Sequence, residues 1–109
     1  MRVSPTLLLG EYMNYIGSNK HEVTVDGEPL DLCLDIANHS PTGFSWGYGG
    51  SGPTQLALAI LVSEYGRNLD THPVFYKQFK DDVIANLEGD SFTITSEDVK
   101  SYVIQLLIP

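Results

Sequence analysis

The sequence predicts an α+β fold, in which a small antiparallel sheet packs on about three helices and a glycine-rich loop leads into a buried central helix. Three observations predict it. Residues 12–36 are rich in β-forming residues, residues 43–52 hold half of the glycines, and the second half of the chain has helical apolar spacing. A length of 109 residues suits one domain over residues 1–109, with 1–11 as a lead-in without a clear pattern.

The first part of the sheet is predicted from β-forming runs and a turn signal. Residues 12–16 and 21–25 are β-rich, and Asp26-Gly27 after the second run is typical of a tight hairpin turn. Residues 30–36 alternate Leu or Ile with Asp and Cys, which is the period of a half-buried strand. We therefore expect three strands within residues 12–36.

The central helix is predicted to begin at Pro53 and to end near Gly66. Gln55 stands three residues after Gly52, where a side chain can reach back to the helix cap. Residues 56–62 are apolar on every face of a helix. Such a helix is predicted to form the buried centre of the domain.

Two further helices and a strand are predicted after it. Asp70 or Thr71 caps the second helix, with Pro73 in its first turn, and Gly89-Asp90 ends it. Its core stripe is Phe75, Phe79, Val83 and Leu87. A short strand follows over 91–95, and the sequence Thr-Ser-Glu-Asp at 95–98 caps the third helix. The apolar stripe of the third helix is Val99, Tyr102, Val103, Leu106 and Leu107.

The charge balance excludes some partners. Fourteen acidic and six basic residues give a net charge of −8, and the bases are scattered. Double-stranded nucleic acid and anionic membranes attract clustered bases, so neither is a predicted partner. A homo-oligomer is left open. One cysteine, Cys33, and the absence of an apolar run longer than a few residues near Leu7 to Leu9 predict a cytoplasmic protein.

The segment that carries possible chemistry is Gly-Tyr-Gly-Gly-Ser-Gly at 47–52. It matches the G-x-G-x-x-G pattern, but the chain is too short for a doubly wound dinucleotide fold. Pro53-Thr54 stands where a P-loop requires Lys followed by Ser or Thr, so hydrolysis of a nucleoside triphosphate is not predicted. Converging glycine amides at a helix N-terminus can still hold a phosphate or carboxylate, and neighbouring aromatic rings can stack on a base.

Ten residues are candidates for binding such a ligand. They are Trp46, Gly47, Tyr48, Gly49, Gly50, Ser51, Gly52, Gln55, His39 and Arg67. Trp46 is expected to be mostly buried with one face towards the ligand, and Tyr48 to stand at the rim. Arg67 is included because it is the one arginine outside the lead-in, and so the cation best suited to a ligand phosphate.

A structural role for the same segment is the competing interpretation. The glycines would turn the chain tightly over the central helix, Phe44 and Trp46 would fill the core, and Ser51 would cap the helix. His39-Ser40 lacks a legible third partner for nucleophilic catalysis, and the three histidines share no metal-ligand spacing. The sequence therefore predicts no catalytic residue, no metal site and no cofactor.

The run Gly-Phe-Ser-Trp-Gly-Tyr-Gly-Gly-Ser-Gly-Pro at 43–53, with similarity over most of 15–107, resembles a small domain family of unknown function from bacterial, plasmid and phage genomes. A phage context implies a protein that disables a host process. The leading hypothesis is sequestration, without turnover, of a small phosphate-containing nucleotide such as a cyclic ADP-ribose derivative that serves as an immune signal. The alternative is an acidic interaction module that inhibits a host protein, in which the glycine loop is only structural.

Overall fold

The computed structural model describes residues 13–108, so the lead-in at 1–11 and Tyr12 lie outside the described residues. Within this range the chain forms a four-stranded antiparallel sheet and three α-helices, which confirms the predicted α+β class. The strands are β1 (Asn14–Gly17), β2 (Val23–Val25), β3 (Glu28–Pro29) and β4 (Phe92–Thr95). The helices are α1 (Ser51–Tyr65), α2 (Tyr76–Asp82) and α3 (Ser96–Leu107), and short 3-10 turns occupy His72–Phe75 and Ile84–Asn86.

The sheet pairs strands from the first and the last parts of the described chain. Its strand order is β3-β2-β1-β4, so the last strand pairs with the first. Tyr15 lies at the centre of the sheet, opposite Val25 on one side and Ile94 on the other, and is fully buried. The inner face of the sheet therefore packs its large side chains into the same core as α1.

The predicted hairpin at Asp26-Gly27 is confirmed. Both residues have positive φ, 52° and 87°, as a type I′ turn requires, and Val25 pairs with Glu28 directly across it. The short β3 strand ends at Pro29, which has no N–H to donate to a further strand.

The predicted strand over residues 30–36 is wrong. Cys33 adopts φ 60°, and its carbonyl accepts hydrogen bonds from the amides of Ile36 and Ala37 at 3.0 and 3.3 Å. The chain therefore turns instead of extending along β2. The alternation fails with it, because Cys33, predicted for the polar face, is buried.

The predicted buried helix is confirmed as α1. Its residues from Gly52 to Val62 are buried on all faces. The helix begins at Ser51, two residues before the predicted start, with Gly50 as the N-cap residue. Gly66, at φ 92°, ends it as predicted, and its amide donates to the carbonyl of Val62 at 2.8 Å.

The predicted second helix is broken into three pieces. Thr71 supplies no side-chain cap, since its hydroxyl donates to the carbonyl of Asn68. The α-helical part ends at Asp82 because the side-chain amide of Asn86 donates to the carbonyls of Asp81 and Asp82, which would otherwise accept within a longer helix. Phe79 is the fully buried member of the predicted stripe, and the other three pack against the core while partly exposed.

The third helix follows the prediction closely. The hydroxyl of Thr95 accepts from the amide of Asp98 at 3.1 Å, and the Asp98 carboxylate accepts from the Thr95 amide at 3.0 Å, which is a capping box. Val99 and Val103 are buried in the core. Leu107 is more than half exposed, so its place in the predicted stripe is wrong. The helix ends there, beyond the edge of the core.

Candidate functional site

The glycine-rich segment crosses the core before it reaches α1. Phe44 and Trp46 are buried, and the residues between and after them face outwards. Gly47 has φ 88°, and its amide donates to the carbonyl of Ile84 at 3.0 Å. This left-handed residue lets the chain leave the core at once after Trp46. From Phe44 to Gly47 the alternation of aromatic and small residues is therefore an alternation of core and surface, which the exposed Tyr48 does not continue.

Trp46 is held on several sides. It is 6% exposed, its indole N–H donates to the carbonyl of Gly89 at 3.2 Å, and its ring meets Phe92 edge-on at 4.8 Å between centroids. His21 stacks on the ring at 4.8 Å with 29° between the planes. Gly17 provides the space, since a Cβ there would collide with Phe92 and come within 2.9 Å of the indole. A face of the ring that a ligand would need is thus occupied by His21.

The N-terminus of α1 carries no side-chain cap. Gly50 is the N-cap residue with extended backbone, no acidic residue follows in the first turn, and Ser51 is the first helical residue. The predicted capping role of Ser51 is therefore wrong. The first-turn amides of an α-helix have no intrahelical acceptor, and Pro53 has no N–H, so the backbone donors left at this end are the amides of Ser51 and Gly52.

Tyr48 lies beside this helix end and is 54% exposed. Its hydroxyl is hydrogen-bonded to the hydroxyl of Ser45 at 2.7 Å, and its ring covers Gly50, where an added Cβ would come within 2.6 Å of the ring. An added Cβ at Gly52 would collide with the hydroxyl oxygen of Ser45 and lie 3.1 Å from its backbone nitrogen. Tyr48 is thus exposed, and its contacts with Ser45 and Gly50 hold it over the helix N-terminus.

Gln55 is fully buried and does not reach back to the cap. Its amide oxygen accepts from the backbone N–H groups of His39 and Ser40 at 2.7 and 2.9 Å. Its amide nitrogen donates to the carbonyls of Leu32 and Ala37. The expected capping contact is replaced by four bonds that tie the 32–40 connection to α1.

His39 is fixed from two directions. Besides its backbone bond to Gln55, its imidazole Nε2 is hydrogen-bonded to the hydroxyl of Tyr76 at 3.0 Å, and the two rings are 5.7 Å apart. Of the predicted site residues, the structure thus gathers residues 46–52 around one helix end. Gln55 lies one turn along the helix and holds His39 against it.

Arg67 lies away from this group. It follows the opposite end of α1, a helix of 15 residues and hence about 22 Å long. Its guanidinium is bonded to Asp35 and lies 3.9 Å from Asp31, and both carboxylates are exposed. This bond holds the pKa of Asp35 below its usual range. The predicted meeting of Arg67 with the glycine segment is therefore wrong.

The sequence reasoning missed a buried charge. The side chain of Glu64 is inaccessible to solvent, and its carboxylate accepts from the hydroxyls of Tyr15 and Ser96 and from the ammonium of Lys100 at 3.3 Å. These bonds join α1 to β1 and to α3. The available signal was an acidic residue two positions after an apolar helical run that ends at Val62.

Within residues 13–108, no three His, Cys, Asp or Glu side chains are grouped so that they could hold a metal ion. No helix in this range is both long and apolar enough to cross a membrane.

The architecture is a small α+β domain in which a glycine-rich segment leads into a buried helix. The chain belongs to the family of unknown function DUF6166, whose model matches residues 15–105. No curated protein and no solved structure matches it.

Proposed function

We propose that the domain is a binding module without turnover that holds a small phosphate-containing ligand, of the nucleotide class, at the N-terminus of α1. The observation that carries the proposal is the uncapped end of this buried helix beside an exposed aromatic ring. The helix dipole places about half a positive charge there, and first-turn amides point towards an anion. Ser51, Gly49 and Gly47 are exposed around it, so a phosphate has access.

Tyr48 supplies the second contact in this proposal. Its ring is held by Ser45 and Gly50 on the helix side and is open to solvent for the rest. A nucleobase stacked on such a ring contributes about 1–3 kcal/mol of binding free energy. Trp46 supports the site from the core, because His21 already covers its ring.

The surroundings of this helix end support capture rather than reaction in this proposal. His39 is bonded through its backbone to Gln55 and through its imidazole to Tyr76, so we assign it to the architecture. In a phage-encoded member of the family, such a module would sequester a nucleotide immune signal, of which cyclic ADP-ribose derivatives are one class, in the host cytoplasm. The ligand would be released intact on denaturation.

The test is a thermal-shift screen of nucleotides and cyclic nucleotides, followed by chromatography of the released ligand. A ligand at a hundredfold excess over Kd stabilises the fold by about 2.7 kcal/mol. Ser51→Asp is the decisive variant, because a carboxylate in the first turn repels an anion yet adds about 0.3–1 kcal/mol of stability through the dipole. Ser101→Asp, at an exposed position of α3, is the matched control. Equal binding by both variants would exclude the helix end as the site.

A second candidate function rests on the surface of α3. Ile104, Leu107 and Ile108 are each more than half exposed near its C-terminal end, in a domain of net charge −8. Exposed apolar side chains in a cluster mark interaction surfaces. In this candidate the domain is an acidic module that inhibits a host protein or pairs with its own copy. Light scattering and host-protein capture with wild type and Ile104→Ser test it, with Ser51→Asp as the control that leaves this surface unchanged.

A further inference from the structure

A groove of about 380 Å³ lies between the β2–β3 hairpin and the C-terminal half of α1. Leu30 lines it on the hairpin side, and Ala59 and Val62 line it from the helix. Its volume falls at the small end of the range for small-molecule sites. The groove is at the opposite end of α1 from Gly50, so it is separate from the site proposed above.

The turn at Cys33 opens the groove. If residues 30–36 had continued as a strand, they would have extended the sheet beside the hairpin. Instead Cys33 takes φ 60°, a left-handed conformation that costs a residue with a Cβ about 1–2 kcal/mol, and Cys33 lines the groove. Such backbone strain concentrates at binding sites.

The mouth of the groove is acidic. Asp31 and Arg67 line it, and Asp35 holds the guanidinium of Arg67 from the outside. The two carboxylates are 77% and 69% exposed, and one guanidinium serves both. The three groups together carry a net negative charge, within a domain of net charge −8. This field attracts cations and repels anions.

The ion pairs of Arg67 do not prevent a ligand cation from binding at the mouth of the groove. Its contact with Asp31 is long, at 3.9 Å, and its bond to Asp35 is solvent-exposed. Exposed ion pairs contribute little free energy, because water solvates the separated partners well. A ligand ammonium can therefore take a carboxylate from Arg67 without unfolding the loop.

We propose that this groove binds a small organic cation, a protonated amine on an apolar body. The amine pairs with Asp31, with Asp35 adding to the negative field at the mouth, and the body lies between Leu30 and the Ala59–Val62 face of α1. The site is independent of the anion site at the other end of the helix.

Titration calorimetry with two indole probes tests the proposal. Tryptamine carries an ammonium, and indole-3-propionate carries a carboxylate on a similar body, so the pair separates charge from ring. We expect saturable binding of tryptamine with a Kd of about 0.1–10 mM. Binding of indole-3-propionate should be weaker or absent. A lack of tryptamine binding up to about 10 mM, or stronger binding of the carboxylate, overturns the proposal.

Two variants sharpen the test. Arg67→Gln removes the competing cation and is expected to strengthen tryptamine binding about two- to fivefold, whereas the double change Asp31→Asn with Asp35→Asn weakens it about three- to tenfold. Asp90→Asn, an exposed acid in the loop before β4, is the control. Weaker tryptamine binding by Arg67→Gln overturns the charge assignment.

Cys33 gives a local readout of the same binding. It is the only cysteine, so alkylation followed by mass spectrometry reports one site. Burial raises the pKa of its thiol, so the free protein reacts slowly at neutral pH. Saturating tryptamine should slow alkylation by up to the fraction of sites filled. If calorimetry shows saturable tryptamine binding while the alkylation rate of Cys33 is unchanged, the amine binds elsewhere, and the groove is overturned as the binding site.

Discussion

The imidazole of His21 stacks on the indole of Trp46, with ring centroids 4.8 Å apart and planes 29° from parallel. His21 reaches this position from the β1–β2 connection, where it adopts φ 62°, and it is itself exposed. An exposed side chain thus shields the single tryptophan from solvent. The glycine segment consequently divides into a core part that ends at Trp46 and a surface part that begins at Gly47.

Trp46 and Tyr48 are expected to differ in what they stabilise. Trp46→Ala should lower the free energy of unfolding by about 3–5 kcal/mol, because it removes a buried aromatic side chain. Tyr48→Ala should change it by no more than about 0.5 kcal/mol, since the side chain is exposed. Chemical denaturation measures both. A large loss of stability in Tyr48→Ala would show that the rim is part of the core.

The glycines of the segment should also divide into two groups. Gly52→Ala is expected to destabilise by about 1–3 kcal/mol, because its Cβ would lie 3.1 Å from both the backbone nitrogen and the Cβ of Ser45. Gly49→Ala meets no atom within 4 Å and should fold with nearly wild-type stability. Thermal melts compare them. Equal effects would contradict the packing assigned to Gly52.

Gln55 should be required for folding rather than for ligand contact. Gln55→Ala leaves two backbone N–H groups and two carbonyls of the 32–40 connection without their partner, at a cost of about 2–4 kcal/mol. Gln78→Ala, at an exposed position of α2, is the control and should be neutral. Urea denaturation of the two variants gives the comparison, and similar midpoints would argue against the network.

Glu64 should be the most sensitive acidic residue. Glu64→Ala removes the common acceptor of Tyr15, Ser96 and Lys100 and should cost about 2–4 kcal/mol. Glu88→Ala changes an exposed acid outside the helices and should shift stability by less than about 0.5 kcal/mol. Denaturation at neutral pH distinguishes them. If Glu64→Ala and Glu88→Ala had nearly the same stability, the buried carboxylate of Glu64 would be dispensable for folding.

Alkaline pH should unfold the domain through its tyrosines. Burial raises the pKa of Tyr15 in the folded state, and burial together with Asp82 raises that of Tyr102. Because the folded pKa is the higher one, the stabilisation is complete below the unfolded value of about 10 and is lost as the pH rises above it. Melting temperatures from pH 8 to about 11 test this. Tyr15→Phe should lose less stability over that range than the wild type, and an identical slope would contradict the assignment.

Local signals in the sequence were sufficient for much of the fold. The Asp26-Gly27 hairpin, the box at Thr95 and Asp98, and the stop at Gly66 each depend on residues that contact one another within a few positions. The burial of α1 also follows from its composition, because a helix that is apolar on every face has to be covered. The exposure of Tyr48 is consistent with the glycines that flank it.

Tertiary structure decided what local pattern could not. Residues 30–36 have the alternation of a strand, but Cys33 turns because the amide of Gln55, more than 20 positions away, binds the carbonyl of Leu32 and anchors the connection that follows. Arg67 and the glycine segment lie far apart because the 15-residue helix α1 separates them, with one at each of its ends. The burial of Glu64 required β1 and α3 to converge on it. Residue type and spacing fix short-range hydrogen bonds and burial, whereas partners brought together from distant positions are fixed only when the core closes.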